Sequence, residues 1–500
     1  MINIQHIKTE LKISEFDEIY PKELFLKYGV FFVEDNNSRY IVISQDKIME
    51  SLSFLSHYEF NENIIHIDNY EDYYNELLDM KKANEKDDEI EDSMDDDEEI
   101  LDFLKNSEDL LKSEESAPII QFVNRMFYQS IKQDASDIHV EPSKDESEIR
   151  FRVNGVLHKY ITIPKKAVNS IVNRIKVVSN LDISEKRIPQ DGRTQVTIAG
   201  KKLDIRVSTL PVHAGERIVM RVLMQADTIP TIEDLGLSKD ISEELKKNVK
   251  SPHGIVLVTG PTGSGKSTTL YSLLQMIKST QTNIMTIEDP VEYNLNGISQ
   301  TSVNVKAGLT FAKGLRSILR QDPDVVLIGE MRDKETSQIA IQASLTGHLV
   351  FSTLHTNDSA SSITRLIDIG VENFLISSSL ISVLAQRLVR KLCDNCKEET
   401  SLDEYESDLL KISKDTKIYK EVGCSKCNNS GFSGRIAVGE LLQIDSKIKQ
   451  MIQDGVNDYV IKDYAVTQKG MKTLKDRGTD LLISGNTTSS EVIKLSMDNS

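Results

Sequence analysis

The chain has 500 residues, of which 39% are hydrophobic and 28% charged, which is typical of a globular protein with about three domains. No apolar run approaches the ~20 residues of a membrane span, and the N-terminal MINIQHIKTE lacks the apolar core of a secretory signal. We therefore expect a cytoplasmic protein with at most peripheral membrane association. The net charge of −18 argues against a general nucleic-acid surface, because such a surface is basic.

The first segment, residues 1–82, reads as a small α/β domain. Its apolar runs Val30–Val33 and Tyr40–Ile43 are separated by the turn sequence EDNNS, and a helical pattern follows over Ile48–Leu55. It contains no recognisable group of catalytic residues, so we predict that it docks to a partner.

The acidic charge is concentrated in the segment that follows. Residues 85–99 carry a net charge of −10 and residues 102–115 a net charge of −3. Because this charge density opposes compaction, we predict an acidic flexible linker over residues 83–116. A specific binding tail is the alternative.

Residues 117–235 return to a globular pattern, with helices predicted over Pro118–Ile131 and Ala167–Leu181. The sequence ASDIHVEP, Ala135–Pro142, leads into alternating apolar positions that predict strands. We expect a sheet of four to six strands flanked by helices. The strand candidates include Ile149–Val153, Gln195–Ile198, Leu203–Val207 and Ile218–Val222.

The central motif of the chain is GPTGSGKST, in the segment 236–392. It follows the apolar run Ile255–Val258 and precedes the helical pattern Thr268–Ile277, which is the context of a phosphate-binding loop. Its glycines let backbone N–H groups approach a polyphosphate, at the positive end of the following helix. Lys266 is expected to reach the β- and γ-phosphates, and Ser267 to ligate Mg²⁺. The predicted nucleotide-binding residues are Gly260, Pro261, Thr262, Gly263, Ser264, Gly265, Lys266, Ser267 and Thr268.

Buried-looking strands alternate with helices after this loop, which predicts a mostly parallel sheet covered on both faces. Ligands bind at the carboxyl ends of such strands, where the glycine loop lies. The strands are predicted at Ile284–Ile287, Val325–Ile328 and His348–Leu354, and the helices at Phe311–Leu319, Glu335–Ser344 and Ala360–Ile369.

Acids and a histidine follow these strands. Glu330 has the position of a Walker B glutamate, which orients the attacking water or helps to hold Mg²⁺ through water. Gly329 replaces the usual aspartate, so Glu288 and Asp289 are candidates for the vacant metal-ligand role. The alternative for an isolated acid at a strand end is a helix N-cap or a surface residue. His355 is a candidate γ-phosphate sensor, with a hydrogen-bonded structural histidine as the alternative.

Several arginines lie on strand or helix candidates. Arg206 and Arg221 are candidates for the positive charge that phosphoryl transfer requires, against the alternative of a solvated strand face. Arg387, Arg390 and Lys391 are interpreted as the basic end of a helix, with lipid-headgroup contact as the alternative.

All four cysteines lie in the segment 393–434, as CDNC and CSKC with 27 residues between the pairs. Cys393, Cys396, Cys424 and Cys427 match a structural Cys₄ zinc site; a redox dithiol pair and vestigial cysteines are the alternatives. Residues 435–500 are predicted to be helical.

Taken together, these motifs resemble the secretion ATPase superfamily of type II secretion and type IV pilus assembly. The resemblance covers residues 117–495. It rests on ASDIHVEP, RIPQDGR, DIRVSTLP, GPTGSGKST, IEDPVEY, LRQDPDVVLIGEMRD, TGHLVFSTLHTND, AQRLVRKLC, the two CxxC pairs and GMKTL.

The resemblance implies a RecA-like P-loop ATPase core preceded by a PAS-like α+β domain, with a small Cys₄ zinc insert and a separate N-terminal α/β domain. It implies ATP, Mg²⁺ and Zn²⁺. It also implies a homo-hexamer on the cytoplasmic face of the inner membrane that acts on a membrane platform protein, with residues 1–82 contacting a membrane-bound docking protein. The resemblance also implies catalytic roles for the residues at the positions of the family's catalytic motifs, which are Glu330, Glu288, His355, Arg206 and Arg221.

No arginine-led cyclic-dinucleotide motif is found in residues 1–82, which favours a secretion or competence pseudopilus motor over a type IV pilus extension ATPase. A nucleotide-binding scaffold without hydrolysis and a nucleic-acid translocase are the alternatives from other classes.

Overall fold

The computed structural model describes residues 12–13, 27–34, 39–57, 63–67, 117–198, 201–224 and 229–497. The predicted acidic linker, residues 83–116, therefore lies entirely outside the described residues. The chain divides into two compact units, Met1–Arg152 with Leu157–Met224 and Val153–Val156 with Gln225–Ser500. None of the helices in the described parts is both long and apolar enough to cross a membrane. The domain boundaries given above stay predictions.

The N-terminal part contains a four-stranded sheet in the order β1-β2-β3-β4, in which β3 and β4 pair in parallel and the other pairs are antiparallel. The predicted strand pair and helix are confirmed. Isoleucine, valine and phenylalanine side chains of β2 and β3 form a small core with Leu55. The elements are β1 Lys12–Ile13, β2 Val30–Glu34, β3 Arg39–Ser44, α1 Ile48–Leu55 and β4 Asn63–Ile67.

The rest of the first unit is an α+β domain with a six-stranded sheet in the order β7-β6-β5-β10-β9-β8. This confirms the expected sheet of four to six strands with two helices. Buried apolar residues alternate along β6, as a half-buried strand requires. The elements are α2 Ala117–Lys132, β5 Ala135–Glu141, β6 Glu146–Val153, β7 Val156–Pro164, α3 Lys165–Val178, β8 Gln190–Ile198, β9 Lys201–Val212 and β10 Gly215–Met224.

The second unit is built on a seven-stranded sheet in the order β13-β12-β14-β15-β11-β16-β19. Every adjacent pair is parallel except β16 with β19, which is antiparallel. Strands β11, β14 and β15 are buried along their whole length, because helices cover both faces of the sheet. The strands are β11 Gly254–Thr259, β12 Ile284–Glu288, β13 Ser299–Ser302, β14 Val325–Ile328, β15 Leu349–Leu354, β16 Leu380–Leu392, β17 Glu398–Thr400, β18 Ile418–Lys420 and β19 Phe432–Gln443.

The four helices whose bounds the sequence predicts in the second unit begin and end within two residues of those bounds. Asp333 caps one of them by accepting a hydrogen bond from the Thr336 N–H at 2.9 Å, and Gly470 ends another in the left-handed conformation. The helices are α4 Lys239–Asn248, α5 Lys266–Ile277, α6 Phe311–Ile318, α7 Lys334–Leu345, α8 Ser361–Asp368, α9 Asn373–Ser379, α10 Glu404–Leu410, α11 Ser446–Gln453, α12 Asp458–Lys469, α13 Leu474–Ile483 and α14 Ser489–Met497.

Two predictions about this unit are wrong. Residues 380–392 form the strand β16, so Arg387, Arg390 and Lys391 do not lie at a helix end. Arg387 is buried, and Arg390 pairs with Glu491 at 2.9 Å, so neither is presented to lipid headgroups.

The helical prediction for residues 435–500 holds only from Ser446, because residues 435–443 belong to β19. These residues form a strand and not a helix because β19 is hydrogen-bonded to β16 along nearly the whole length of both strands. The cysteine segment connects β16 to β19, and its small sheet pairs β17 with β18.

Candidate functional site

The phosphate loop connects β11 to α5, as predicted, and its shape requires glycine at two positions. Gly260 and Gly265 have φ of +146° and +86°. A Cβ on Gly260 would lie 2.4 Å from the carbonyl oxygen of Gln386, and one on Gly265 would lie 2.8 Å from the Gln386 side-chain nitrogen. Strand β16 therefore passes directly behind the loop and excludes any side chain at these positions.

Lys266 is the first residue of α5 and lies against this loop. Its Nζ donates to the carbonyl oxygens of Gly260 at 2.8 Å and Pro261 at 3.0 Å. Burial lowers the pKa of Lys266 to about 8, although the negative charge of Glu330 acts in the opposite direction. The ammonium group is thus held at the N-terminal end of a helix, where an anion binds favourably. Ser267 is exposed one residue further along, within reach of solvent.

Glu330 lies just beyond the end of β14 and is held from both sides. The Thr353 hydroxyl donates to the Gly329 carbonyl at 2.6 Å, and the Met331 N–H donates to the Thr353 carbonyl at 3.1 Å. The Glu330 carboxylate pairs with Arg332 Nε at 2.6 Å. The contacts with β15 fix the backbone on both sides of Glu330, and Arg332 holds its carboxylate at the edge of the sheet where the phosphate loop also lies.

His355 follows β15, and its Nε2 lies 3.7 Å from a carboxylate oxygen of Glu330. Burial and the nearby Lys266 ammonium lower the pKa of His355, against the opposing effect of Glu330. The lowered pKa favours the neutral imidazole, which can donate one hydrogen bond. His348, which begins the same stretch, instead lies 2.8 Å from the Ala343 carbonyl through Nδ1, as a structural histidine does.

Gly329, which stands where an aspartate is usual, lies close to the backbone of β12. Its N–H donates to the Ile287 carbonyl at 2.7 Å, and a Cβ would lie 3.2 Å from the Glu288 Cα. A side chain at this position would press against the backbone of β12. A larger side chain here would require the backbone of β12 to shift.

Glu288 is buried at the end of β12 and accepts hydrogen bonds from three neighbours. Thr286 donates at 2.5 Å and Gln300 at 3.3 Å, and the third donor is the hydroxyl of Tyr271 on α5. Burial raises the pKa of Glu288 despite these bonds. The carboxylate is thus joined to the helix that follows the phosphate loop, whereas the adjacent Asp289 is exposed.

Arg206 and Arg221 lie in the first unit, on neighbouring strands of its sheet. Their Cα atoms are directly opposite each other across β9 and β10, and Arg193 on β8 is opposite Arg206 in turn. Opposed residues share a face, so three arginines form a row on one side of the sheet. Asp137 accepts from Arg221 Nε at 3.1 Å and Asp204 from Arg193 Nε at 2.7 Å.

The four cysteine sulfurs all lie within 4.8 Å of one another. Individual pairs are separated by 3.9 Å for Cys393–Cys424, 3.8 Å for Cys396–Cys427 and 3.7 Å for Cys424–Cys427. Tetrahedral Zn–S bonds of about 2.3 Å place sulfurs about 3.8 Å apart, whereas a disulfide is about 2.05 Å long.

Donors surround these sulfurs in the manner of a metal-thiolate site. The backbone N–H groups of Gly423, Cys424 and Gly431 donate to cysteine sulfurs at 3.2–3.3 Å. Such bonds stabilise negative charge on ligand sulfurs. The cluster can therefore hold a tetrahedral metal ion with all four ligand positions supplied by the chain.

The sequence interpretation missed a buried acid behind the site. Glu440 on β19 is 0% exposed and accepts hydrogen bonds from the N–H and hydroxyl of Ser359 at 3.1 and 2.5 Å, and from the Leu474 N–H at 3.3 Å. Lys462 pairs with the adjacent Asp358 at 2.6 Å. Glu440 thus fixes the turn after His355 to the start of α13. A lone acid within the apolar run AVGELL was the signal that could have identified it.

Comparison with known proteins agrees with this architecture. The family described as "Type II/IV secretion system protein" matches residues 112–494. The type II secretion system ATPase E of Vibrio cholerae is 47% identical over 397 residues, which are 79% of this chain and 78% of that protein. The type IV pilus assembly ATPase PilB of Thermus thermophilus is 48% identical over 377 residues, 75% of this chain and 42% of that protein.

A solved structure shows the same fold. The ATPase DotB of Legionella pneumophila aligns with a TM-score of 0.56 at 22% identity, over 76% of this chain and 96% of that one. The predicted RecA-like α/β core is confirmed by this likeness and by the parallel-rich sheet. From its match over residues 112–494 and the high identity of its relatives, the chain belongs to the family of type II/IV secretion system proteins and is an ATP-hydrolysing enzyme.

Proposed function

We propose that the protein is a cytoplasmic hexameric motor that hydrolyses ATP to drive assembly of a type II secretion pseudopilus or a competence pseudopilus. The observation that carries this proposal is the convergence of Lys266, Glu330 and His355 beside the phosphate loop, at the ends of neighbouring strands. Assembly of a type IV pilus is the second candidate, supported by the 48% identity to a pilus assembly ATPase.

Each residue has a role that follows from its position. The loop Gly260–Thr268 binds the phosphates of ATP through backbone N–H groups, and Lys266 neutralises the β- and γ-phosphates. Glu330 orients the attacking water, while neutral His355 donates to the γ-phosphate.

The residues around the loop also suit a magnesium ion, which would neutralise phosphate charge. Ser267 offers a hydroxyl, and Glu288 and Asp289 offer carboxylates, the oxygen ligands that Mg²⁺ prefers. Glu288 already accepts hydrogen bonds from Tyr271, Thr286 and Gln300. We therefore propose that it would keep these partners and orient Asp289 or water molecules near a bound Mg²⁺, and that it would not ligate the ion directly.

The proposed partners follow from the family. We propose a homo-hexamer, bound peripherally to the cytoplasmic face of the inner membrane, that acts on a membrane platform protein. Residues 1–82 are proposed to contact a membrane-bound docking protein. Nucleic acid is not a proposed partner, because the net charge is −18.

A phosphate-release assay on the purified protein tests the proposal against a scaffold without hydrolysis. We expect Mg²⁺-dependent ATP turnover that rises when the platform protein of a pseudopilus system is added in lipid vesicles. No turnover under any of these conditions would leave only the scaffold. Stimulation by DNA or RNA at low salt would favour a translocase, and stimulation by a pilus platform alone would favour pilus extension.

The cysteine cluster is proposed to hold one structural zinc ion through Cys393, Cys396, Cys424 and Cys427. Elemental analysis of protein purified without chelators is expected to give about one zinc per chain. Replacing Cys396 by serine is expected to abolish zinc retention and lower the melting temperature, because metal binding contributes folding free energy. Metal-free protein with unchanged melting temperature would contradict the proposal and favour the redox or vestigial alternatives.

A further inference from the structure

Gln386 lies in the middle of β16, is 1% exposed, and contacts both the phosphate loop and the first turn of α5. Its Nε2 donates to the backbone carbonyl of Ser264 at 2.8 Å. Its Oε1 accepts from the hydroxyl of Thr269 at 2.8 Å. One amide thus joins the loop to the first turn of α5, on either side of Lys266.

The orientation of this amide follows from its partners. A backbone carbonyl is an acceptor only, so the nitrogen of Gln386 must face Ser264 and its oxygen must face Thr269. Thr269 is itself fully buried, so its hydroxyl requires this acceptor or another within the protein. A carboxamide is the side chain of this length that donates and accepts at once. Glutamate would set a carboxylate against a carbonyl oxygen, and methionine would make neither bond.

The same strand also sets the shape of the loop by contact. The hypothetical Cβ atoms of Gly260 and Gly265 meet the backbone and side chain of Gln386, as described above. The loop therefore lies directly on this residue at three points: Gly260, Ser264 and Gly265. Its conformation is fixed relative to β16 and not only by its own sequence.

From these contacts we infer that Gln386 is a positioning residue for nucleotide binding. It holds the carbonyl of Ser264 back toward β16, so that the N–H groups of the loop stay directed to the side where phosphates bind. It acts through Ser264 and Thr269 and does not touch the nucleotide. The inference rests on the proposed function, in which this loop binds ATP. Preorganised donors bind an anion more tightly because less ordering is required on binding.

Substitution of Gln386 by methionine tests the inference, since it keeps the volume and removes both hydrogen bonds. The dissociation constants of ATP and ADP and the KM for ATP are expected to rise about 5- to 100-fold, the range for disrupting a buried hydrogen bond. The kcat at saturating ATP should change less than about threefold. Thr269→Val should weaken binding in the same direction, and Thr269→Ser, which retains the hydroxyl, should weaken it less.

The control is Gln443→Met, which removes a partly buried amide from β19 that contacts Glu244 and Asn248. It is expected to alter the melting temperature as much as Gln386→Met does, without changing nucleotide affinity. If Gln386→Met does not fold, the comparison of Thr269→Val with Thr269→Ser decides in its place. Wild-type affinities in Gln386→Met, or equal affinities in the two Thr269 variants, would overturn the inference. Wild-type affinity in Lys266→Ala would instead overturn the proposed nucleotide site.

Discussion

Replacing Glu330 by glutamine is expected to lower the rate of ATP hydrolysis about 10²–10⁴-fold while leaving ATP binding intact. The carboxylate lies 3.7 Å from His355 and pairs with Arg332, so its position is defined before substrate binds. Glutamine keeps the shape and can still accept a hydrogen bond. It loses the negative charge that, in the proposed mechanism, orients and polarises the attacking water.

Lys266→Ala serves as the companion variant, because it removes charge from the loop itself. It should lower turnover at least about 10²–10³-fold, the range for losing one preorganised donor to developing charge, and should also weaken ATP binding. Phosphate release and equilibrium ATP binding measured on both variants separate chemistry from binding. Lys278→Ala, at the opposite end of α5, and Glu335→Gln, an exposed acid on α7, are the matched controls. Wild-type-like hydrolysis by Glu330→Gln would remove this residue from the mechanism.

The phosphate loop and its neighbours are predictable from sequence because local chemistry determines them. A strand of apolar residues, glycines with positive φ and a following helix are all encoded within Gly254–Ile277. Glu330 and His355 are predictable for a related reason. Each follows a buried strand of a parallel sheet, and the carboxyl ends of such strands meet at one edge.

Strand β16 shows where local pattern is insufficient. The sequence LISVLAQRLVRKL has apolar residues at spacings that suit either a helix or a strand that is buried on both faces. Pairing with β11 on one side and β19 on the other makes it a strand. These partners lie far away in the sequence, so tertiary context outweighs local preference.

Gln386 and Glu440 were missed for the same reason. Both are polar residues within apolar strands, and their partners Ser264, Ser359 and Leu474 come from distant segments. A buried polar residue requires partners, but the sequence does not say which ones. From sequence alone, a polar residue within an apolar strand can thus be identified as one that needs a hydrogen-bond partner, but the partner itself is known only from the structure.

The arginine row of the first unit has an electrostatic cost. Like charges directly opposite on a sheet are destabilising, yet Arg193, Arg206 and Arg221 are aligned across three strands. Asp137 and Asp204 offset part of this repulsion. The Arg221 side chain nevertheless remains 54% exposed, so it is accessible to a further anion. We propose that Arg206 and Arg221 stabilise the charge on the γ-phosphate.

Single substitutions Arg206→Ala and Arg221→Ala are expected to lower kcat about 10³–10⁵-fold, as loss of a transition-state arginine does in related phosphoryl transfer. The folded first unit should persist, because removing one arginine relieves repulsion and Asp137 retains Arg152 as an ion-pair partner when Arg221 is replaced. Arg217→Ala is the matched control, since it lies on the same strand and face as Arg221 and pairs with Glu141. Single-turnover hydrolysis and circular dichroism on all three variants distinguish chemistry from unfolding. Rates equal to that of Arg217→Ala in both variants would show that the row serves the sheet and not the nucleotide.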